Sequence, residues 1–575
     1  MYCEIFSLCG KSFRIPPANI YEKEVLFMKI NIRRYSTLYE QMHASALKNP
    51  QGTALLFYGT TLSYRQLDEL VDQCAAGLLA LGVNPGDRVT ICMPNLPQTV
   101  AAIYAVNRIG AVCNMLHPLS TSDEVRHGVE LVRSSVAFCF DLSEKAFDGL
   151  DITLIRCKTC DFFEKTPVGW IRGKVYTHSV RQKVGTAHVS QSLTWNQLLK
   201  QGEIWSSSHS LPDAASDSEA TAAVMYTGGT TGLPKGVMLS NAAINALSFQ
   251  LFPVLGKARR SDGMLGALPV FHGFGFAFCM HTAMAAGIRL ALIPRFDAKE
   301  CCRIITKQRL TFLFSVPSFF ERLLKCGLLD GKDLSFVRFI GSGGDVVSDD
   351  LRQKMDKLLS QGGSSCRFLT GYGLTECVTA CCFTDPYLSY HTGCIGVPME
   401  GNEMKVVRMG TTEILPEGDG EICVTGPTLM QGYWEDPEET RKVLKRHEDG
   451  RIWLHTGDVG CQGEGGIYFR QRLKRVLKVS GYLVYPSAIE EKLRCSSLVE
   501  DCCVVGMDTP KGTRVKAYVV PRREPQNDQE RQKWAEDITG FSREHLNLWS
   551  VPAQVEFLSE LPHTKLGKVD YKALQ

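Results

Sequence analysis

The stretch LSYRQLDELVDQCAAGLLALG, residues 62–82, sets Leu67, Leu70, Val71, Cys74, Leu78 and Leu81 on one helical face. Gly82 supplies a C-terminal stop, and PGDRVTICM then reads as a turn followed by a strand. The pattern recurs through the first 390 residues. TAAVMYT, LSFVRFIG and SSCRFLTG have the texture of short buried strands, and amphipathic stretches such as PSFFERLLKC lie between them. Each element has an apolar face to bury, and the alternation predicts layered α/β architecture with mainly parallel sheets. At 575 residues the chain exceeds a single core, and roughly 150 residues per unit suggests three or four structural units.

Farther along, the texture changes. Around 395–470 short β segments with glycine turns (KVVRM, GEICVTG, GRIWLHTGDVG) predict a compact β subdomain. From about 473 a hairpin-like region, the helix SAIEEKLRC and the strands CCVVGM and VKAYVVP predict a small α+β unit. Ser487 and Glu490 stand three residues apart, the capping-box spacing, which predicts a helix start there. The expected division is an N-terminal extension 1–37 with no assigned role, a large domain 38–472 and a small mobile C-terminal domain 473–575.

Bulk properties exclude several classes. Apolar residues make up 44% and charged residues 22%, as in ordinary globular proteins. The net charge of +3 advertises no nucleic-acid partner. No segment reaches the ~18–20 uninterrupted apolar residues of a membrane span. The nearest, GFGFAFCMHTAMAAGIRLALIP, is broken by His281 and Arg289 and reads as buried core, with at most peripheral membrane contact. Glu4 and Lys11 interrupt the apolar run that a signal peptide needs, so a cytoplasmic location is expected, and Met28 is an alternative start. The 22 cysteines include three adjacent pairs, Cys301–Cys302, Cys381–Cys382 and Cys502–Cys503, which read as small buried apolar residues. Cys157 and Cys160 form a lone C-x-x-C, read as a surface pair because no second pair completes a zinc site. The basic segment 152–187 reads as a solvated surface insertion.

The chemistry is concentrated in YTGGTTGLPKG, Tyr226 to Gly236, which follows an apolar strand. Its glycines let backbone N–H groups converge on an anion, its threonines add hydroxyl donors, and Lys235 adds a compact positive charge. No window fits G-x-x-x-x-G-K-[ST], because Lys235 follows Pro234. The common nucleotide loop of hydrolysing ATPases is therefore excluded. The stretch is either a different phosphate loop or a glycine-rich turn.

The rest of the chain favours the former. YTGGTTGLPKG resembles the signature loop of the adenylate-forming superfamily, which includes acyl-CoA synthetases, aryl-CoA ligases, luciferases and peptide-synthetase adenylation domains. GYGLTE, WLHTGD, RLKRVLKVSGYLVYPSAIE and LPHTKLGK resemble its later motifs in order, so the likeness runs from about residue 38 to the end. It implies formation of an acyl-adenylate from a carboxylate and ATP, then thiol attack with release of AMP. ATP, Mg2+ and coenzyme A are the implied cofactors and cosubstrates.

By this resemblance Thr227, Gly228, Gly229, Thr230, Thr231, Gly232 and Lys235 hold the β- and γ-phosphates. Thr375 donates to the α-phosphate and Glu376 ligates Mg2+. Gly371, Tyr372 and Gly373 offer a face to adenine, opposed by backbone at Gly343, Gly344 and Asp345. Asp458 accepts from the ribose hydroxyls and Arg472 contacts ribose or phosphate. Lys568 is the catalytic group that bridges the substrate carboxylate and the α-phosphate. Lys474 falls at the hinge, Lys478 and Gly481 serve the coenzyme A step, and His272, Phe274 and Gly275 line the acyl pocket.

Four positions depart from the family pattern. Gly228 stands where serine is usual and Asp345 where alanine is usual. Gln471 replaces a glycine, and Arg475 sits where an acidic residue is common. None removes a charge that the chemistry needs. A free-standing acyl-CoA synthetase for fatty or related acids is the expected function. An adenylating enzyme that loads a separate carrier protein is the alternative, and a non-catalytic homologue conflicts with the presence of Glu376, Asp458 and Lys568.

Overall fold

A computed structural model describes residues 37–181, 187–227, 234–255, 259–384, 391, 393–479, 482–509, 512–563 and 569–575. The described residues group into two compact units. The first takes the chain up to 384 with 396–403 and 425–446; the second takes 391, 393–395, 404–424 and the chain from 447 onward.

The helix predicted from residues 62–82 spans Tyr64–Ala80. Ser63 Oγ accepts from the Gln66 N–H, and the Gln66 side chain accepts from the Ser63 N–H, so two orphan donors are satisfied reciprocally. Leu67, Val71, Cys74 and Leu78 are buried as the spacing predicts, whereas Leu70 and Leu81 are only half-buried. Gly82, at φ +80°, takes the left-handed conformation that ends the helix.

Two sheets organise the first unit. In one, Phe368–Tyr372, Phe339–Gly343, Phe312–Ser315, Gly263–Gly266, Arg289–Leu292 and Thr53–Phe57 lie side by side in parallel, with antiparallel neighbours at each end. In the other, Thr221–Thr227, Val112–Met115, Arg88–Cys92, Val136–Phe140, Thr153–Cys157 and Gln191–Thr194 run parallel. Its edge is antiparallel, formed by Lys235–Ser240 and then Gly432–Tyr433. Strands such as Val136–Phe140 and Phe312–Ser315 are buried along their whole length, as parallel strands covered on both faces must be. The architecture is the α/β class expected from the alternation.

The apolar stretch after Gly273 is core. Phe274–His281 forms a π-helix, buried throughout, and continues as the α-helix Thr282–Ala286. Inside it, Tyr104 Oη lies 2.9 Å from His281 Nδ1, and Nε2 lies 2.7 Å from Asn245 Oδ1. Burial pushes the His281 pKa down to about 3, so the ring is neutral. Among the described residues no helix is long and apolar enough to cross a membrane. The paired cysteines 301–302, 381–382 and 502–503 are buried. Cys157 corrects the surface reading of its C-x-x-C, because it ends the strand Thr153–Cys157 at 1% exposure.

The second unit contains an antiparallel sheet of Gly420–Thr425, Ile452–Gly463 and Gly466–Arg472. It also contains a small α+β layer. There Val499–Thr509 pairs antiparallel with Gly512–Pro521, which pairs parallel with Gln554–Phe557. The helices Pro486–Leu493 and Asp528–His545 bury Ile489, Leu493, Trp534 and Ile538 against it. The expected capping box at Ser487 does not form. Pro486 opens the helix after the N-cap Tyr485, Ser487 Oγ donates to the Arg470 carbonyl, and Glu490 pairs with Arg475 instead. A proline at the first helical position sets the start two residues earlier than the box requires.

Candidate active site

The antiparallel register of the Thr221–Thr227 and Lys235–Ser240 strands sets Thr227 opposite Lys235 at the mouth of the hairpin. Gly228, Gly229, Thr230, Thr231 and Gly232 lie outside the described residues. Lys235 Nζ forms an ion pair with Glu439 and lies 5.1 Å from the ring centre of Tyr433. Glu439 is also paired with Lys442, and the two ammonium groups hold its carboxyl at about 2, below the usual range. Tyr433 Oη donates to Glu376 Oε1 at 2.8 Å. Burial first, and the Glu376 carboxylate second, push the Tyr433 pKa up, so the phenol stays a donor. The Glu376 carbonyl also accepts from the Met430 N–H at 2.9 Å. Lys235 and Glu376, separated by 141 positions, thus share one aromatic ring.

Glu376 sits in the short 3-10 turn Thr375–Cys377, in which Thr375 is buried. The following Val378 has φ +66°, a conformation that a β-branched residue adopts only under strain. That strain sits two residues from a candidate metal ligand. Gly373 admits no side chain, since a Cβ there would lie 1.8 Å from the Thr379 carbonyl oxygen.

The parallel register of neighbouring strands aligns Ser342 with Thr370 and Gly343 with Gly371. The SGGD and GYG segments therefore leave the carboxyl ends of adjacent parallel strands together, where open α/β sheets bind ligands. Asp345 is exposed and accepts from the Val346 N–H. Phe274 adjoins this edge, as a Cβ on Gly343 would lie 3.8 Å from its ring. Phe274 packs edge-on to Phe278, and Phe278 to Phe314, continuing an apolar wall downward. His272 Nδ1 accepts from the Phe274 N–H at 3.3 Å. Gly275 lets the π-helix approach the Pro269 carbonyl oxygen, 2.0 Å from where a Cβ would be.

In the second unit Asp458 and Arg472 are register partners on adjacent strands, with Arg472 Nε 3.3 Å from Asp458 Oδ1. Asp458 is 2% exposed, whereas the Arg472 side chain is more than half exposed. Lys474 lies in the 3-10 turn Leu473–Arg475 and Lys478 on the strand Leu477–Val479, and both are exposed. Gly481 and Lys568 lie outside the described residues. Two departures from the family pattern have structural partners. The Gln471 side chain is buried and accepts from the Ser487 N–H, while Arg475 donates to Glu490 at 2.6 Å and to the Val504 carbonyl.

Sequence reasoning missed Tyr433 and Glu439. Tyr433 belongs to a two-residue strand, Gly432–Tyr433, too short to show periodicity. Glu439 lies in a seven-residue helix 204 positions from Lys235, and only charge complementarity hinted at the pair.

The model of the AMP-binding enzyme family matches residues 42–434, and that of the AMP-binding enzyme C-terminal domain matches 488–568. The chain is 31% identical over 550 residues to the long-chain-fatty-acid–CoA ligase of Bacillus subtilis (strain 168), covering 93% of each chain. Its fold is similar to that of ATP-bound MatB from Rhodopseudomonas palustris, with a TM-score of 0.76 at 23% identity over 94% of this chain and 98% of that one. A second similar fold is the O-succinylbenzoate coenzyme A synthetase MenE of Bacillus subtilis in complex with AMP, with a TM-score of 0.73 at 23% identity over 93% of this chain and 98% of that one. The chain belongs to the AMP-binding enzyme family.

Proposed function

We propose that the protein activates a fatty or related carboxylic acid with ATP and transfers the acyl group to coenzyme A. Family membership and the fatty-acid–CoA ligase relative support an AMP-forming acid–CoA ligase. The observation that carries the reading is the Lys235–Tyr433–Glu376 constellation beside the phosphate-loop position.

A carboxylate is a poor electrophile because its leaving group would be oxide. In the first half-reaction a carboxylate oxygen bonds to the α-phosphorus and the bond to the β-phosphate oxygen breaks, releasing pyrophosphate. In the second, a thiol sulfur bonds to the acyl carbon, loses its proton and expels AMP. The first step brings two anions together, so the site must neutralise charge. We assign that work to Lys235 at the phosphates, with Thr227 and the loop 228–232, and to Lys568 at the substrate carboxylate.

Glu376 fits Mg2+, being an oxygen donor whose Oε1 is fixed by Tyr433. Held by Glu376, a bound Mg2+ would offset the negative charge of the phosphates. Thr375 donates to the α-phosphate; Tyr372, with the glycines 371 and 373, faces adenine against the backbone of 343–345. Asp458 and Arg472 recognise the ribose. The aromatic wall that begins at Phe274, with His272 and Gly275, suits an apolar acyl chain. The C-terminal domain from 473 turns at Lys474 between the half-reactions, bringing Lys478 and Gly481 to the second, because each needs different groups at one carbon.

Pyrophosphate release across a panel of carboxylates, with and without coenzyme A, tests the assignment. Carboxylate-dependent release, with acyl-CoA formed when coenzyme A is added, is expected. Release that ignores the carboxylate overturns the reading. Acyl transfer only to a carrier protein overturns the coenzyme A assignment.

A further inference from the structure

Outside the proposed nucleotide contacts, Cys423, His447 and His455 converge in the second unit. Cys423 and His455 are direct cross-strand partners. His447 is delivered by the turn His447–Arg451, which is closed by hydrogen bonds from His447 N–H to the Arg451 carbonyl and from Gly450 N–H to the His447 carbonyl. One donor atom from each of the three lies within 4.8 Å of the others, and all three residues are at most 5% exposed. Trp453 and Val407 form the apolar wall beside Cys423, and the His447 ring packs 5.5 Å from that of Trp453.

The hydrogen bonds aim the lone pairs. His455 Nδ1 lies 2.8 Å from Glu421 Oε2, so that nitrogen donates and Nε2 is left as the acceptor. An imidazole fixed by a carboxylate through its other nitrogen is the arrangement that metal-ligating histidines use. His447 Nε2 is 3.0 Å from His455 Nε2. Tetrahedral zinc bonds of about 2.0–2.1 Å set neighbouring nitrogens about 3.3 Å apart, so a small separation of the rings admits the ion. A thiol with two imidazoles is a soft donor set that selects zinc over magnesium or calcium.

We propose that Cys423, His447 and His455 bind a thiophilic divalent cation, zinc by class, with a fourth position left for water. On binding, the Cys423 thiol loses its proton to solvent, and the proton that His447 Nε2 donates to His455 in the cation-free state moves to Nδ1. Glu421 couples this cluster to the turn before Asp458. Its Oε1 accepts from the Gly457 N–H at 3.0 Å while Oε2 holds His455.

The test uses the full chain expressed with supplemented zinc and dialysed against zinc-free buffer. Mass-spectrometric metal analysis should find one equivalent in the wild type and less than a tenth of that in Cys423→Ser and in His447→Gln. Should either variant fail to fold, cobalt decides on the wild type. Exposed thiols such as Cys495 are first blocked by alkylation, leaving buried Cys423 unmodified. Cobalt loading should then give the sulfur-to-cobalt charge-transfer band and the strong visible bands of a tetrahedral site. Wild-type protein that retains no zinc, equal zinc in both variants, or cobalt bound without a charge-transfer band would each overturn the site.

Discussion

Tyr433 donates its hydroxyl to Glu376 Oε1 across 2.8 Å, fixing one oxygen of the proposed magnesium ligand from a strand 57 positions away. Tyr433→Phe keeps the ring beneath Lys235 and removes only this bond. A hydrogen bond to a charged group contributes about 1.5–3 kcal/mol, so kcat/KM for ATP should fall roughly 10- to 100-fold. Pyrophosphate exchange measured against ATP and Mg2+ concentration checks this, with a melting curve as the folding control. An unchanged Mg2+ dependence would remove Tyr433 from the site.

Lys568→Ala should abolish carboxylate-dependent pyrophosphate exchange while leaving thioester formation from a supplied acyl-adenylate largely intact. The lysine is assigned only to the adenylation half-reaction, so the two assays should separate. Exchange at the wild-type rate would sink that assignment.

Arg475 is the strongest case of a family departure with a structural role. It pairs with Glu490, whose side chain is 8% exposed and whose Oε1 also accepts from the Val504 N–H. Arg475→Ala leaves a buried carboxylate without its cation, at a cost of about 3–5 kcal/mol. Adding Glu490→Gln should recover more than half of that in urea melts, because the amide oxygen still accepts from Val504. A neutral single variant would show that solvent compensates the charge.

His281 gives the fold a pH dependence whose sign is fixed. Its folded pKa is about 3 against an ordinary value near 6.5. Below pH 6.5 the unfolded chain takes up a proton that the folded chain refuses. The contribution is therefore complete above pH 6.5 and is lost as pH falls toward 3, at up to about 1.4 kcal/mol per pH unit. Urea midpoints between pH 7 and pH 5 should fall less steeply in His281→Gln than in the wild type. Parallel slopes would refute the assignment.

Local signals were legible wherever one segment decides its own structure. TAAVMYT is the strand Thr221–Thr227, and PSFFERLLKC is the helix Pro317–Cys326. Leu67, Val71, Cys74 and Leu78 are buried as their spacing requires. Pairings over distance were not legible. Nothing near Glu490 announces Arg475 as its partner, and the capping-box spacing at Ser487 pointed to a local bond that a tertiary ion pair displaces. The Lys235–Glu439 pair depends on a fold that brings positions 204 apart together. The compact units also interleave, with 396–403 and 404–424 in different ones, an exchange that follows from sheet pairing and not from composition.

Lys235 already has an anion, and that changes what a phosphate would encounter in the role proposed for this residue. An incoming phosphate does not fill a bare positive charge; it replaces one anion with another, as on an ion-exchange resin. Lys442 stays beside Glu439 after the swap, so the displaced carboxylate is not stranded. Under that proposal, selectivity at this lysine rests on the difference between a phosphate and a carboxylate as partners.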